Sequence, residues 1–316
     1  RLHLVHTPEF VIAALLGKNP KDIATDWSHA LKTGVDLDTK TYSPEILERA
    51  QSKNISLPTI VSPGTKLGAI GDLNIYTGMT DGCTAQISAG GADVGSAVTT
   101  LGTTMVIKLV TDKNVTGPGF YSHLLPAKNW LVGGASNLGG ISFKNFTANI
   151  KEWDQRADAH GPASFVTYPL DSKGERFPIS NKELARFESA AAQSEVDQYR
   201  AILEGIAFAE RLSYELLSKY GAPLTGELRT AGGGAKSPTW CKIRATVLNR
   251  AVIAQKNSGS DLGAALIAIA ATTNPINISA GISAIKLPDG EIYLPVANEI
   301  EALSQSYKLF SDILLP

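Results

Sequence analysis

Apolar and polar positions change their period several times along the chain, and each change marks a different kind of element. Residues 10–16 are apolar at helical spacing and run into Gly17 and Pro20, so the pattern predicts a short helix that those two residues end. After the turn-rich stretch Thr25-Asp26-Trp27-Ser28-His29-Ala30 and a linker, residues 44–53 read as a polar helix. From Leu57 the texture becomes short β-like runs punctuated by Gly and Pro, at 59–61, 73–76, 104–110 and 130–132. Residues 82–98 are rich in Ala, Gly and Ser, which suits a helix of small residues packed tightly beside a sheet. From Asn181 the period turns helical: Leu184, Phe187, Ala190 and Ala191 recur at spacings of three and four, and residues 196–220 continue until Gly221 closes the helix. A strand-like run at 227–230, a glycine run and a helix beginning near Ser237-Pro238 follow. Strands alternating with long helices predict an α/β architecture with a covered sheet.

Composition narrows the possible functions. A chain of 316 residues, 43% hydrophobic and 19% charged, buries a sizeable core and suggests about two domains at ~150 residues each. The 29 Lys and Arg nearly cancel the 30 Asp and Glu, which leaves no basic field for nucleic acid or anionic lipid and points to small-molecule partners. The longest apolar run, 262–271, is short of the ~20 residues that span a bilayer, so the expectation is a soluble protein. Cys83 and Cys241 lie far apart, and with five scattered histidines they offer neither a metal-ligand spacing nor a disulfide framework. Asn-x-Ser/Thr triplets at Asn54, Asn114, Asn145 and Asn277 are discounted as chance matches. The chain opens at Arg1 directly into an apolar helical pattern, from which a missing upstream part is expected.

Four segments carry candidate chemistry. In the most informative, Thr230-Ala231-Gly232-Gly233-Gly234-Ala235-Lys236-Ser237-Pro238-Thr239-Trp240, a strand empties into three glycines and then into a helix that Ser237 can cap and Pro238 can begin. Glycines let a ligand approach the backbone, and a helix N-terminus offers free N–H groups to a phosphate. The segment is neither a P-loop, since Ala235 stands before Lys236, nor a Rossmann fingerprint; the other reading is a tight strand-to-helix turn. Leu101-Gly102-Thr103-Thr104 could face a phosphate with small hydroxyl residues and backbone amides. Thr80-Asp81-Gly82 places a carboxylate ahead of the small-residue helix, although Asp before Gly is also a common turn. The glycines of 133–140 either line a cleft or make a loop.

In this order, with a Leu203-Glu204-Gly205-Ile206-Ala207-Phe208 helix and a final Asp261-Leu262-Gly263-Ala264-Ala265, the motifs resemble the C-terminal part of the FGGY carbohydrate kinases over nearly the whole chain. The early stretch 25–34 also looks like that family, and the wording around Asp81 is most similar to plant and cyanobacterial pentulose kinases, relatives of xylulokinases and ribulokinases, a resemblance that implies the cytoplasm, or the plastid stroma in a plant. The resemblance implies two actin-like (ribonuclease H-like) α/β domains flanking a cleft, the first incomplete here and ending near residue 95, the second covering 96–316. It implies ATP and magnesium as cofactors, a small sugar such as D-ribulose or D-xylulose as substrate, and Asp81 as catalytic base. Gly102, Thr103, Thr104 and Gly139 would approach the phosphates, Gly233, Gly234 and Ser237 would contact the nucleotide, and Trp240 would pack near adenine. Ser237 stands where relatives often carry Asn, and Phe143 where several carry a polar residue. The family's opening Asp-x-Gly-Thr hairpin has no match, so these residues are expected to bind nucleotide with little turnover by themselves. The competing expectations are a non-catalytic binding relative and a structural subunit.

Overall fold

A computed structural model describes residues 2–126, 128–146, 148–256 and 258–315. The chain forms two compact units: residues 1–92, 123–131 and 259–287 make the first, and 93–122, 132–258 and 288–316 the second. The first crossing, at 92/93, lies near the boundary expected at 95/96, but two later segments return to the first unit, which no single boundary expresses.

In the first unit, helix Thr7–Leu16 ends on Gly17 in the left-handed region, as its sequence requires. The polar helix Pro44–Ser52 starts at a Ser43 side chain that accepts from the Ile46 N–H. The linker ahead of it forms a hairpin, Val35–Asp36 against Thr41–Tyr42. Two parallel pairs join Leu2–His3 to Ile55–Ser56 and Thr25–Asp26 to Ile60–Val61. Trp27, Ala30, Val35, Leu37, Leu124 and Trp130 form a small core, into which the Trp27 indole N–H donates to the Leu124 carbonyl at 2.8 Å. Helix Asp81–Ser88 packs on helix Ser260–Thr273, and the approach is so close that a Cβ on Gly263 would stand 1.9 Å from the Thr84 carbonyl oxygen. The glycine of Asp-Leu-Gly-Ala-Ala is therefore a contact requirement of this helix pair.

The small-residue helix is shorter than the pattern predicts. It stops at Ser88, because Gly90 and Gly95 adopt positive φ and break the helical path; Val98 lies in strand Ala97–Leu101. A second correction concerns residues 181–191. Leu184 and Phe187 do pack on the main core, but neither from a helix: Leu184 lies in irregular chain, and Phe187 opens the short strand Phe187–Glu188, which pairs antiparallel with Thr167–Tyr168. The helix begins only at Glu195, where the Ser194 side chain accepts from the Asp197 N–H, and it runs to Lys219 with Gly221 at positive φ beyond its end.

A seven-stranded mixed sheet runs in the order Phe120–Leu124, Trp130–Ser136, Met105–Thr111, Ala97–Leu101, Leu228–Gly232, Val252–Ala254, Glu291–Tyr293, and all of it belongs to the second unit except the strand ends 123–124 and 130–131. At its centre Ala97–Leu101 pairs antiparallel with Met105–Thr111 and parallel with Leu228–Gly232. These are the strands whose ends carry the Leu-Gly-Thr-Thr and triple-glycine segments, and Gly232 stands in register with Leu101. A fully buried ion pair anchors them: Arg244 holds Glu210 through two 2.6 Å bonds and donates to the Thr230 hydroxyl at 2.7 Å, while Thr99 donates to Glu210 at 2.5 Å. Removing either charge would leave the other buried without a partner, at a cost of roughly 3–5 kcal/mol.

No single helix among the described residues is long and apolar enough to cross a membrane; the helices Ser260–Thr273 and Ile278–Ala284 reach that length only as a pair bent by 113°.

Candidate functional site

In the second unit, the strand Leu228–Gly232, the turn Gly233–Lys236 and the helix Pro238–Leu248 follow one another as the sequence predicts. Ser237 caps the helix by accepting from the Trp240 N–H at 3.0 Å, and Pro238 occupies its first turn. The three glycines serve different ends. Gly232 has φ +85°, and a Cβ there would lie 2.5 Å from the Leu101 carbonyl oxygen, so it makes the turn. Gly234 has its α-carbon against core side chains: a Cβ would meet Leu101 and Trp240 at 2.7 Å. Gly233 has neither constraint, since the nearest atom to its Cβ position is the Leu101 carbonyl oxygen at 3.8 Å.

Gly233 opens on a cavity of about 270 Å³ lined also by Gly102, Gly140, Gly234, Ser237 and Trp240, and by Leu101, Phe143, Ile150, Asp154, Tyr199 and Leu203. Gly102 is thus brought together with Gly233, Gly234, Ser237 and Trp240, which lie more than a hundred residues further along the chain. Thr103, Thr104 and Gly139 do not line this cavity. Instead they bind two loops to each other: Gly140 N–H donates to the Gly102 carbonyl at 2.8 Å and Ile141 N–H to Thr103 at 3.1 Å, and a Cβ on Gly139 would lie 2.8 Å from Thr103 and Thr104 backbone atoms. Gly102 resembles Gly233, having only the Thr104 carbonyl oxygen 3.8 Å from its Cβ position.

The far wall is apolar and aromatic. Trp240 is buried, donates its indole N–H to the Leu203 carbonyl at 3.1 Å, and meets Phe143 edge to face with centroids 5.2 Å apart. Phe143 tilts against Tyr199 at 5.4 Å. Phe143 therefore builds the wall rather than reaching into the cavity with a hydrogen bond. Tyr199 donates to Asp154 Oδ1 at 2.8 Å; burial, with that bond and the carboxylate charge, pushes its phenol well above the usual range. Sequence reasoning missed Asp154 and Tyr199. The signal for Asp154 was present: Ile150, Trp153, Asp154 and Ala157 stand at the spacings of one helix face, so a carboxylate occupies a core-facing stripe of helix Ile150–His160.

Asp81 belongs to the first unit. It is the exposed first residue of helix Asp81–Ser88, and its Oδ1 accepts from the Gly82 N–H at 2.7 Å. Its main-chain carbonyl accepts from the Thr84 and Ser260 hydroxyls, each at 3.1 Å. Behind it lies a buried polar network. Thr80 N–H donates to the Ser28 hydroxyl, which donates to Asp26, which also binds the Nδ1 of His29. Burial pushes His29 toward its neutral form, but the hydrogen bond and charge of Asp26, with Glu9 and Asp81 behind them, outweigh it and raise its pKa. Among the described residues no group of three His, Cys, Asp or Glu side chains could hold a metal ion.

The model of the FGGY family of carbohydrate kinases, C-terminal domain, matches residues 97–272, more than half of the chain. The chain belongs to that family. It is similar to the xylulose kinase of Staphylococcus xylosus, 24% identical over 259 residues that are 77% of this chain and 52% of that protein. It is also similar to the gluconokinase of Bacillus subtilis, 23% identical over 219 residues, 62% of this chain and 42% of that one. The chain spans about half the length of these relatives. Among solved structures it is similar to a ligand-bound xylulose kinase from Lactobacillus acidophilus, with TM-score 0.81, 22% identity, and coverage of 96% of this chain and 66% of that one. A Plasmodium falciparum glycerol kinase with ADP gives TM-score 0.80 at 18% identity, covering 98% and 66%. The fold is the actin-like, ribonuclease H-like α/β fold expected from the sequence.

Proposed function

We propose that this chain carries the nucleotide-holding part and the catalytic base of an ATP-dependent sugar kinase whose substrate is a ketopentose, D-xylulose or D-ribulose. The observation that carries the reading is the contrast among the glycines. Gly232 and Gly234 are required by the protein's own turn and core, whereas Gly102 and Gly233 are not, and both of the latter open on the same cavity. A missing side chain that the fold does not need is explained by close approach of a ligand to the backbone. The capped N-terminus of helix Pro238–Leu248, beside Gly233, favours an anionic ligand, and the aromatic wall favours a flat base.

ATP fits these residues. Gly102, Gly140 and Gly233 would lie along its phosphates, Ser237 beside the ribose and Trp240, Phe143 and Leu203 around the base. Asp81, exposed at a helix start, orients the sugar hydroxyl and takes its proton. The hydroxyl oxygen forms a bond to the γ-phosphorus while the bond from that phosphorus to the β–γ bridging oxygen breaks, and ADP leaves with the electron pair. A carboxylate is a weak base, but the proton leaves late in a loose transition state, so its placement matters more than its basicity. The described residues hold no cluster of three His, Cys, Asp or Glu side chains, and no step is assigned to magnesium.

The xylulose kinases among the relatives and the wording around Asp81 favour a ketopentose acceptor. A coupled assay of ADP release by the full-length protein against D-xylulose, D-ribulose, gluconate and glycerol tests the assignment. The expected result is the highest kcat/KM on one of the two ketopentoses; a strong preference for glycerol or gluconate refutes it.

A further inference from the structure

Asp154 is an anomaly in the wall of the cavity. It is 8% exposed, yet among the described residues its carboxylate accepts one hydrogen bond, from the neutral Tyr199 hydroxyl to Oδ1 at 2.8 Å. No lysine or arginine pairs with it: Lys242 lies on Asp158, Arg156 stacks on Trp153, and Arg200 binds Glu204 and Glu299. A carboxylate can accept about four bonds, so Asp154 keeps acceptor capacity beyond the bond from Tyr199. The placement is nevertheless firm, because the Asp154 carbonyl accepts from the Thr239 hydroxyl at 3.1 Å and Tyr199 is packed among Phe143, Phe146 and Trp153. Such a residue is preorganised to accept a hydrogen from something that enters the cavity it lines.

The cavity is chemically two-ended. Glycine backbone and a helix N-terminus form one end, and Phe143, Ile150, Leu203 and Trp240 with Asp154 form the other. Phosphate oxygens are repelled by a carboxylate, which leaves the base to the Asp154 end. Resting on the reading of this cavity as the nucleotide site, we propose that Asp154 selects the base by accepting a hydrogen bond from the exocyclic amine of adenine. Hypoxanthine carries a carbonyl at that position, and its oxygen would face the carboxylate lone pairs. Inosine nucleotides are therefore rejected for lack of a donor and for lone-pair repulsion.

Calorimetric titration of the chain with ATP, ITP and N6,N6-dimethyl-ATP tests this. The wild type is expected to bind ATP on the order of tenfold or more tightly than either analogue. Asp154→Asn keeps an acceptor for Tyr199 but can turn an amide N–H toward the base, so the ATP:ITP ratio should fall to within about threefold of one. Tyr199→Phe, which frees the carboxylate from its anchor, should lower the ratio in the same direction and serves if the first variant does not fold. Equal binding of the three nucleotides by the wild type, or an unchanged ratio in a folded variant, overturns the proposal. If ATP does not bind at all, or binds equally well to Gly233→Val, the nucleotide reading of the cavity fails as well. If ATP binding is sensitive to Gly233→Val but indifferent to the base, only the role of Asp154 fails.

Discussion

The main-chain N–H of Thr80 donates to the hydroxyl of Ser28 at 3.0 Å, and that hydroxyl donates in turn to Asp26 at 2.5 Å. The Thr80 side chain makes no capping bond to helix Asp81–Ser88, so the peptide just ahead of Asp81 is held by a serine 52 residues upstream. Asp26 is fixed as well, accepting the N–H groups of Ser28 and His29 at 2.8 and 3.3 Å.

Ser28→Ala removes an acceptor from Thr80 and a donor from Asp26 in a buried setting. The expected loss is about 1–3 kcal/mol of stability by denaturant titration. In the full-length protein it should be accompanied by a fall in kcat, with the dissociation constant for ATP unchanged. A variant that loses stability but keeps full turnover would show that the network supports the fold alone and does not orient Asp81.

Asp81→Asn keeps the size of the side chain and its bond from the Gly82 N–H, but it cannot take a proton from the sugar. Loss of a general base is worth about 10²–10⁴ in rate, or roughly 3–5 kcal/mol of barrier, whereas replacing a turn residue changes stability by about 1 kcal/mol or less. In the full-length protein the expected outcome is a kcat reduced by at least that lower factor with ATP affinity intact. A folded variant whose kcat stays within about threefold of wild type makes Asp81 a turn residue.

The pKa of His29 is raised in the folded protein, its desolvation being outweighed by Asp26. Because the folded value exceeds the unfolded one, the protonated ring stabilises the fold; this contribution is complete below about pH 6.5 and disappears as the pH climbs through the raised value. His29→Gln removes the effect. The difference in denaturation midpoint between wild type and variant should therefore be larger at about pH 6 than at about pH 9. A difference that does not change across that range contradicts the coupling to Asp26.

Gly233→Val and Gly234→Ala should fail in opposite ways. The first places a branched side chain in the cavity and should weaken ATP binding by on the order of tenfold or more, ~1.4 kcal/mol, with the thermal midpoint nearly unchanged. The second drives a methyl group into Leu101 and Trp240 and should cost about 1–3 kcal/mol of stability. Calorimetry and thermal melting of the two variants separate these outcomes; unchanged ATP affinity in Gly233→Val would reduce the glycines to a turn.

Local chemistry was legible in the sequence wherever one residue settles the backbone by itself. Gly17 and Gly221 end helices through positive φ, and Ser237-Pro238 starts one through a cap and a restrained ring, so those boundaries were readable without the fold. The order of the motifs likewise determined the family, because each motif is a short contiguous run. Periodicity misled where an apolar residue has two ways of being buried: Leu184 reaches the core from irregular chain and Phe187 from a two-residue strand, and their spacing resembles a helix by coincidence. Only the tertiary structure could separate Gly233 from Gly234, since the difference lies in whether Leu101, more than a hundred residues away, stands against the α-carbon. The same holds for Ser28 and Thr80, for Arg244 with Glu210 and Thr230, and for Asp154 in its aromatic wall. A sequence lists which groups exist and what each prefers locally. Hydrogen bonds and packing between distant segments act over a few ångströms of space, and which segments come within that reach is decided by the folded chain.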